Sequence, residues 1–195
     1  MCQAGSQYNE IQLGRRHFVR TVLAGGGVAL LASVLPARYA GAAGQTEALL
    51  LSCMDFRLVD ETERYMSGRG LRNKYDHVIL AGAALGATTD KFPLWKKVFW
   101  EHLDVAIKLH KIHKVMVLDH RDCGAYKVVM GEDFAANPER ETEVHAQQLK
   151  RLGKLIRAKH PALDVELLLI DLNGKVEEIA RLSAGHSSGT EKECT

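Results

Sequence analysis

Short apolar runs separated by long amphipathic stretches constrain the fold of this chain more than any other feature. "ALLLSCM" (48–54) is continuous and apolar, the mark of a strand covered on both faces. "HVILAG" (77–82), "KVMVLDH" (114–120) and "VELLLI" (165–170) repeat the pattern. Asn173-Gly174 then turns the chain into a short last strand at "KVEEI" (175–179). Between these runs, Asp60 can cap a short helix to Ser67 that "GRG" ends, and 93–110 has helical spacing with Pro93 in its first turn. Tyr126 to Met130 reads as one or two helical turns. A charged helix covers 139–159, with Leu149, Leu152, Leu155 and Ile156 inward. Strands alternating with helices predict an α/β fold. The expectation is one domain, a mostly parallel four-stranded sheet with a short extra C-terminal strand, and helices on both faces.

The first 42 residues read differently. "GRRHFVR" (14–20) supplies paired arginines, Thr21 to Leu35 is uncharged, and "AGAAG" (40–44) offers a cleavage site after Ala42. The uncharged stretch is too short and too glycine-rich to span a bilayer. Arg15 and Arg16 before a weakly hydrophobic run resemble a twin-arginine signal, which is read by an export machinery that moves folded cargo. The expectation is an exported, periplasmic protein with no stable membrane association after processing. It divides into a signal at 1–42, a domain at 43–183 and a disordered tail at 184–195.

Removing that leader alters the charge. It takes four arginines and one glutamate from a chain with 26 basic and 24 acidic residues, leaving a net charge near −1. Nothing in that balance points to nucleic acid or a membrane surface as a partner.

Of four cysteines, Cys2 lies in the leader and Cys194 in the tail, which leaves Cys53 and Cys123. A disulfide is one reading for an exported protein, and a pair of small buried thiols is another. Neither accounts for His120, three residues before Cys123, nor for Asp55 and Arg57 just after Cys53. In open α/β sheets chemistry collects at the carboxyl ends of strands, where Cys53 and His120 both fall. Two thiolates and an imidazole form a soft ligand set that suits zinc and leaves one position open. Asp55 can accept a hydrogen bond from the attacking hydroxide, and Arg57 can hold Asp55 off the metal as a bidentate partner.

Cys-x-Asp-x-Arg at 53–57 with His-x-x-Cys-Gly at 120–124 resembles the β-class carbonic anhydrases, from about residue 47 to 180. The resemblance implies one zinc per chain on Cys53, His120 and Cys123, with Asp55 and Arg57 as the catalytic pair. It implies zinc-dependent hydration of carbon dioxide to bicarbonate, in a homodimer or a dimer of dimers. The loop "AGAALGATTD" (81–90) departs from the family, whose members usually carry Gly-Asn after the second strand. Gly82, Ala83, Ala84 and Gly86 are expected to form an apolar substrate pocket there. Such a pocket suits carbonyl sulfide or carbon disulfide as well as carbon dioxide, so hydrolysis of those is a second reading. A non-catalytic zinc-binding protein is a third.

His110 and His113 at a helix end could mimic a second metal pair, but cations are favoured there anyway. His145 is expected to be solvated or at a subunit contact. Trp95, Phe99 and Trp100 are expected in the core or a dimer interface. His77, His145 and Tyr126 are the candidates to relay protons.

Overall fold

The computed structural model describes residues 44–134 and 136–185. The expected leader at 1–42 lies outside them, as does the tail from residue 186. Ala184, placed in that tail, donates its N–H to Asp164 Oδ1 at 2.6 Å.

Strand β1 (Ala48–Ser52) is buried at every position, as its unbroken apolar run requires. A 3-10 turn (Phe56–Leu58), capped by Asp55 accepting the Arg57 N–H, leads into α1 (Val59–Gly68), which no side chain caps; Asp60 lies inside its first turn. Strand β2 (Tyr75–Ile79) begins two residues before the expected start and stops before "LAG". Those residues lead instead into a short helix, α2 (Ala84–Thr88), that hydropathy did not reveal. Helix α3 (Pro93–His110) and β3 (Lys114–His120) keep their expected limits. After them come α4 (Gly124–Met130), α5 (Pro138–Lys159), β4 (Asp164–Ile170) and β5 (Val176–Leu182).

The sheet has five strands in the order β2-β1-β3-β4-β5, parallel except for the last pair. The last strand is a full member of the sheet rather than a short addition. It runs to Leu182 because Arg181 pairs opposite Glu166 and Leu182 opposite Val165.

Alternation along the strands splits the core. Leu49, Leu51, Val115, Val117, Val165 and Leu167 face α3 and α5, where they meet Phe99, Leu103, Leu149, Leu152 and Ile156. Leu50, Met116, Leu118, Leu168 and Ile170 face the other way, toward Leu58 and Met66. Each fully buried leucine contributes on the order of 2 kcal/mol. Glu166 shares the second face and is buried, which a lone charge does not tolerate. Arg69 at 3.0 Å, Lys114 at 3.2 Å and Arg181 at 3.2 Å surround it, tying α1 to the sheet.

Candidate metal centre

The strand register builds the site. Ser52 pairs with Leu118 across β1 and β3, so Cys53 leaves β1 level with Asp119 and next to His120, the last residue of β3. Cys123 returns to the same place because Asp122 takes a left-handed conformation, φ +55°. Asp is one of the few non-glycine residues that adopt it readily. Glu141 on α5 fixes that turn by accepting the Asp122 N–H at 2.6 Å.

The ligand atoms of Cys53, His120 and Cys123 lie within 4.8 Å of one another, the one such cluster among the described residues. The two thiols are free, with sulfurs 3.9 Å apart. His120 Nδ1–H donates to the Arg121 carbonyl at 2.8 Å, which leaves Nε2 as the atom with a free lone pair. That Nε2 is buried and has no hydrogen-bond partner. An orphaned buried acceptor beside two sulfurs fits a metal ligand.

The thiols point the same way. The Cys123 S–H, against the cost of burial, and with His120 and the Gly82 N–H, pulls the Cys53 thiol far below its ordinary range. Proximity to Cys53, together with burial, pushes Cys123 up. Without a cation the pair holds one thiolate comfortably and not two. A divalent ion removes that conflict.

Asp55 and Arg57 meet as a bidentate pair. Arg57 Nε donates to Oδ1 at 3.0 Å and Nη2 to Oδ2 at 2.8 Å, and the Arg57 backbone N–H adds a third bond to Oδ1 at 3.0 Å. These bonds, Arg57's guanidinium foremost, hold the Asp55 carboxyl at about 2. Asp55 Oδ2 stands 3.9 Å from His120 Nε2, so the carboxylate borders the cluster without entering it. Arg57 is itself held from behind. Its Nη1 donates to Asp122 Oδ2 at 2.8 Å and its Nη2 to the Asp122 carbonyl at 3.0 Å. Asp122 was not singled out in the sequence, where only its place inside His-x-x-Cys marked it.

A cavity of about 470 Å³ opens on the cluster, lined by Cys53, Asp55 and Cys123 and by apolar groups that include Phe92, Trp95, Val128 and Val129. Trp95, expected in the core or an interface, stacks on Phe92 at 4.1 Å and forms part of this wall. Phe99 is buried in the core, with Trp100 packed at its edge. The expected pocket residues are elsewhere. Gly82, Ala83, Ala84 and Gly86 are all buried, and Ala81 alone reaches the cavity from their segment. They act behind the cluster. Gly82, at φ +73°, aims its N–H at Cys53 Sγ, 3.3 Å away, and a Cβ there would press on Ala125 at 3.1 Å. Gly86 packs so closely on the Ala81 carbonyl that a Cβ would come within 2.6 Å.

Ala84 donates its N–H to Asp119 Oδ1 at 2.9 Å, and Asp119 Oδ2 accepts Tyr126 Oη–H at 2.5 Å and His145 Nδ1–H at 2.9 Å. His145 is therefore not solvated. It is fully buried because the charged helix α5 turns that face onto Asp119 and Tyr126. Strand alternation placed Asp119 on this face, opposite to Leu118, a signal the sequence carried. The possible second metal pair dissolves too, since His110 bonds Asp76 at 2.8 Å.

Known proteins resemble this chain in three ways. A family model described as "Putative carbonic anhydrase" matches residues 43–180. Uncharacterized proteins of Rickettsia conorii and Rickettsia bellii are 40% and 39% identical over 135 residues. The match covers 69% of this chain in both cases, and 73% and 82% of the relatives. Among solved structures, the β-carbonic anhydrase CafA of Aspergillus fumigatus aligns at 16% identity and a TM-score of 0.45, over 90% of this chain and 91% of its own. A tetrameric β-carbonic anhydrase of Sordaria macrospora aligns at 13% and 0.44, over 89% of this chain and 100% of its own. With the family model matched over residues 43–180, well over half of the chain, the chain belongs to this carbonic anhydrase family.

Proposed function

We propose that the protein is a zinc enzyme that hydrates carbon dioxide to bicarbonate. The observation that carries this reading is the buried Cys53–His120–Cys123 cluster, with its orphaned imidazole nitrogen, bordered by an arginine-clamped carboxylate. Cys53, His120 and Cys123 would hold the metal. When bound, zinc supplies Lewis-acid activation of water. The protein supplies the rest. Asp55, ionised throughout the neutral range, accepts a hydrogen bond from the attacking water and so orients it toward the substrate. Arg57 occupies both carboxylate oxygens, which keeps Asp55 out of the cluster. That arrangement argues against a purely zinc-storing role, in which Asp55 would complete the coordination. The apolar wall of the cavity favours a small uncharged substrate without hydrogen-bonding groups.

The same wall would admit carbonyl sulfide or carbon disulfide. Zinc-loaded protein should therefore be assayed for carbon dioxide hydration by stopped-flow and, in parallel, for sulfide release. Hydration with slower or no sulfide release is the expected result. Sulfide release without hydration would transfer the reading to the second substrate class, and neither activity at any pH would end it.

We propose also that residues 1–42 direct export of the folded protein. Support comes from Arg15-Arg16, the uncharged run that follows, and the start of the family match at residue 43. A folded reporter fused to these residues should cross the inner membrane only with both arginines intact. Undiminished export after replacement of both by lysine would assign the segment to the general secretory route.

A further inference from the structure

Hydrating carbon dioxide yields bicarbonate and one proton per turnover, and that proton has to reach solvent before the next cycle. The following inference rests on the reading given above. The apolar cavity offers the proton no carrier. Its wall includes Cys53, Cys123 and Asp55, but the cysteines belong to the cluster and Asp55, clamped by Arg57, is committed to orienting the attacking water.

A second cavity, of about 290 Å³, touches Cys53 and Met54 from another side. Ser52, Thr62, Glu63, Tyr75 and His77 give it a partly polar lining. A third, polar cavity of about 390 Å³ shares Glu63, Tyr75 and His77 with it and adds Arg72 and Asn73. His77 thus stands where a compartment touching the cluster meets an open polar one. Its Nε2 lies 2.7 Å from the hydroxyl of buried Ser52, the residue before Cys53, while the residue as a whole is exposed. The register of β1 and β2 sets His77 opposite Leu50, two residues below Ser52, so the ring reaches up toward the site.

The two other candidates lack such a position. His145 and Tyr126 are fully buried, and both are committed to Asp119.

We propose that His77 is the proton carrier of this enzyme, receiving the proton from the cluster side through the Ser52 hydroxyl and water in the second cavity and releasing it to the third. The transfer breaks one N–H or O–H bond for each one formed and needs no other reactant. Although the residue is exposed, partial desolvation of the ring against Ser52 lowers its basicity, which favours release over retention. The groups facing it are Ser52 on β1, Glu63 on α1 and Tyr75 on β2, whose ring centroid is 5.8 Å away. Asp76 and His110, paired with each other, flank its other side.

The test is carbon dioxide hydration by zinc-loaded wild type and His77→Ala at low and high buffer concentration. The carrier acts after carbon dioxide has reacted. The substitution should therefore lower kcat by about tenfold or more at low buffer, leave kcat/KM within about twofold, and be rescued by added imidazole. Zinc content should match wild type. Independently of activity, the His77 ring should titrate in NMR spectra, and Ser52→Ala should shift that titration. Equal losses in kcat and kcat/KM, an unchanged kcat at low buffer, or failure of imidazole to rescue would each overturn the proposal. So would the same rescuable loss in Glu63→Gln with His77→Ala unaffected. Absence of hydration in wild type would remove the parent reading and this one with it, a result distinct from a defect confined to kcat.

Discussion

Protein loaded with zinc and freed of excess should hold close to one ion per chain, and Cys53→Ser, His120→Ala and Cys123→Ser should each lose it. The effect is expected to be large. Partners behind a ligand typically change metal affinity by about 10–100-fold, and a ligand itself should exceed that range. Competition against a chromophoric chelator measures the loss directly. Cobalt substitution adds a second readout, because sulfur-to-metal absorption should weaken in either cysteine variant. The fold should survive all three changes, since Cys53 only borders the core on one face of the sheet and the core on the other face contains none of the three side chains. Wild-type zinc affinity in any one variant would remove that residue from the ligand set. A sharp difference in pH dependence is also expected. The metal has to displace the proton shared by the two thiols, so affinity should fall as pH drops and recover as it rises.

The sequence went further on the cluster than on its surroundings, for physical reasons. Cys53 and His120 end strands, and a parallel sheet with adjacent β1 and β3 brings strand ends together, so the three-residue cluster follows from topology. The layout of α3 and β3 was equally plain because periodicity, Pro93 and a continuous apolar run agree there. The 81–90 segment reads ambiguously because its small apolar residues suit a pocket wall and a buried helix equally well. What separates the two is the close approach of Gly86 to the Ala81 carbonyl, a contact no pattern displays. His145 reads as solvated or at a subunit contact because α5 is so charged. Its burial depends on Asp119, a carboxylate inside an apolar strand run, and on a register known only once β3 and α5 are packed. The walls come from Phe92 and Trp95 at the start of α3 and from Val128 on α4, elements with no joint signature.

Asp55, Arg57 and Asp122 should behave as one device when substituted. Asp55→Asn keeps its shape but loses the charge that orients the attacking water. Arg57→Ala removes the clamp on both carboxylate oxygens and lets Asp55 swing the short distance toward His120 Nε2, now 3.9 Å away. Either change should keep zinc bound while lowering kcat/KM by roughly a hundredfold or more. Because both disable the same step, the double variant should fall about as far as one single, far short of the product of the two. Asp122→Asn should be milder. It weakens the Nη1 contact but leaves the Asp122 carbonyl to receive Nη2, so Arg57 retains part of its hold. The order expected in kcat/KM is therefore wild type, then Asp122→Asn, then the two dyad singles together with their double. Multiplying losses in the double, or full activity in Asp55→Asn, would sink the clamp mechanism while leaving the metal cluster untouched. An Asp122→Asn loss as deep as Arg57→Ala would instead show that the guanidinium is held from Asp122 alone. Asp55 would then be the member that depends on the other two.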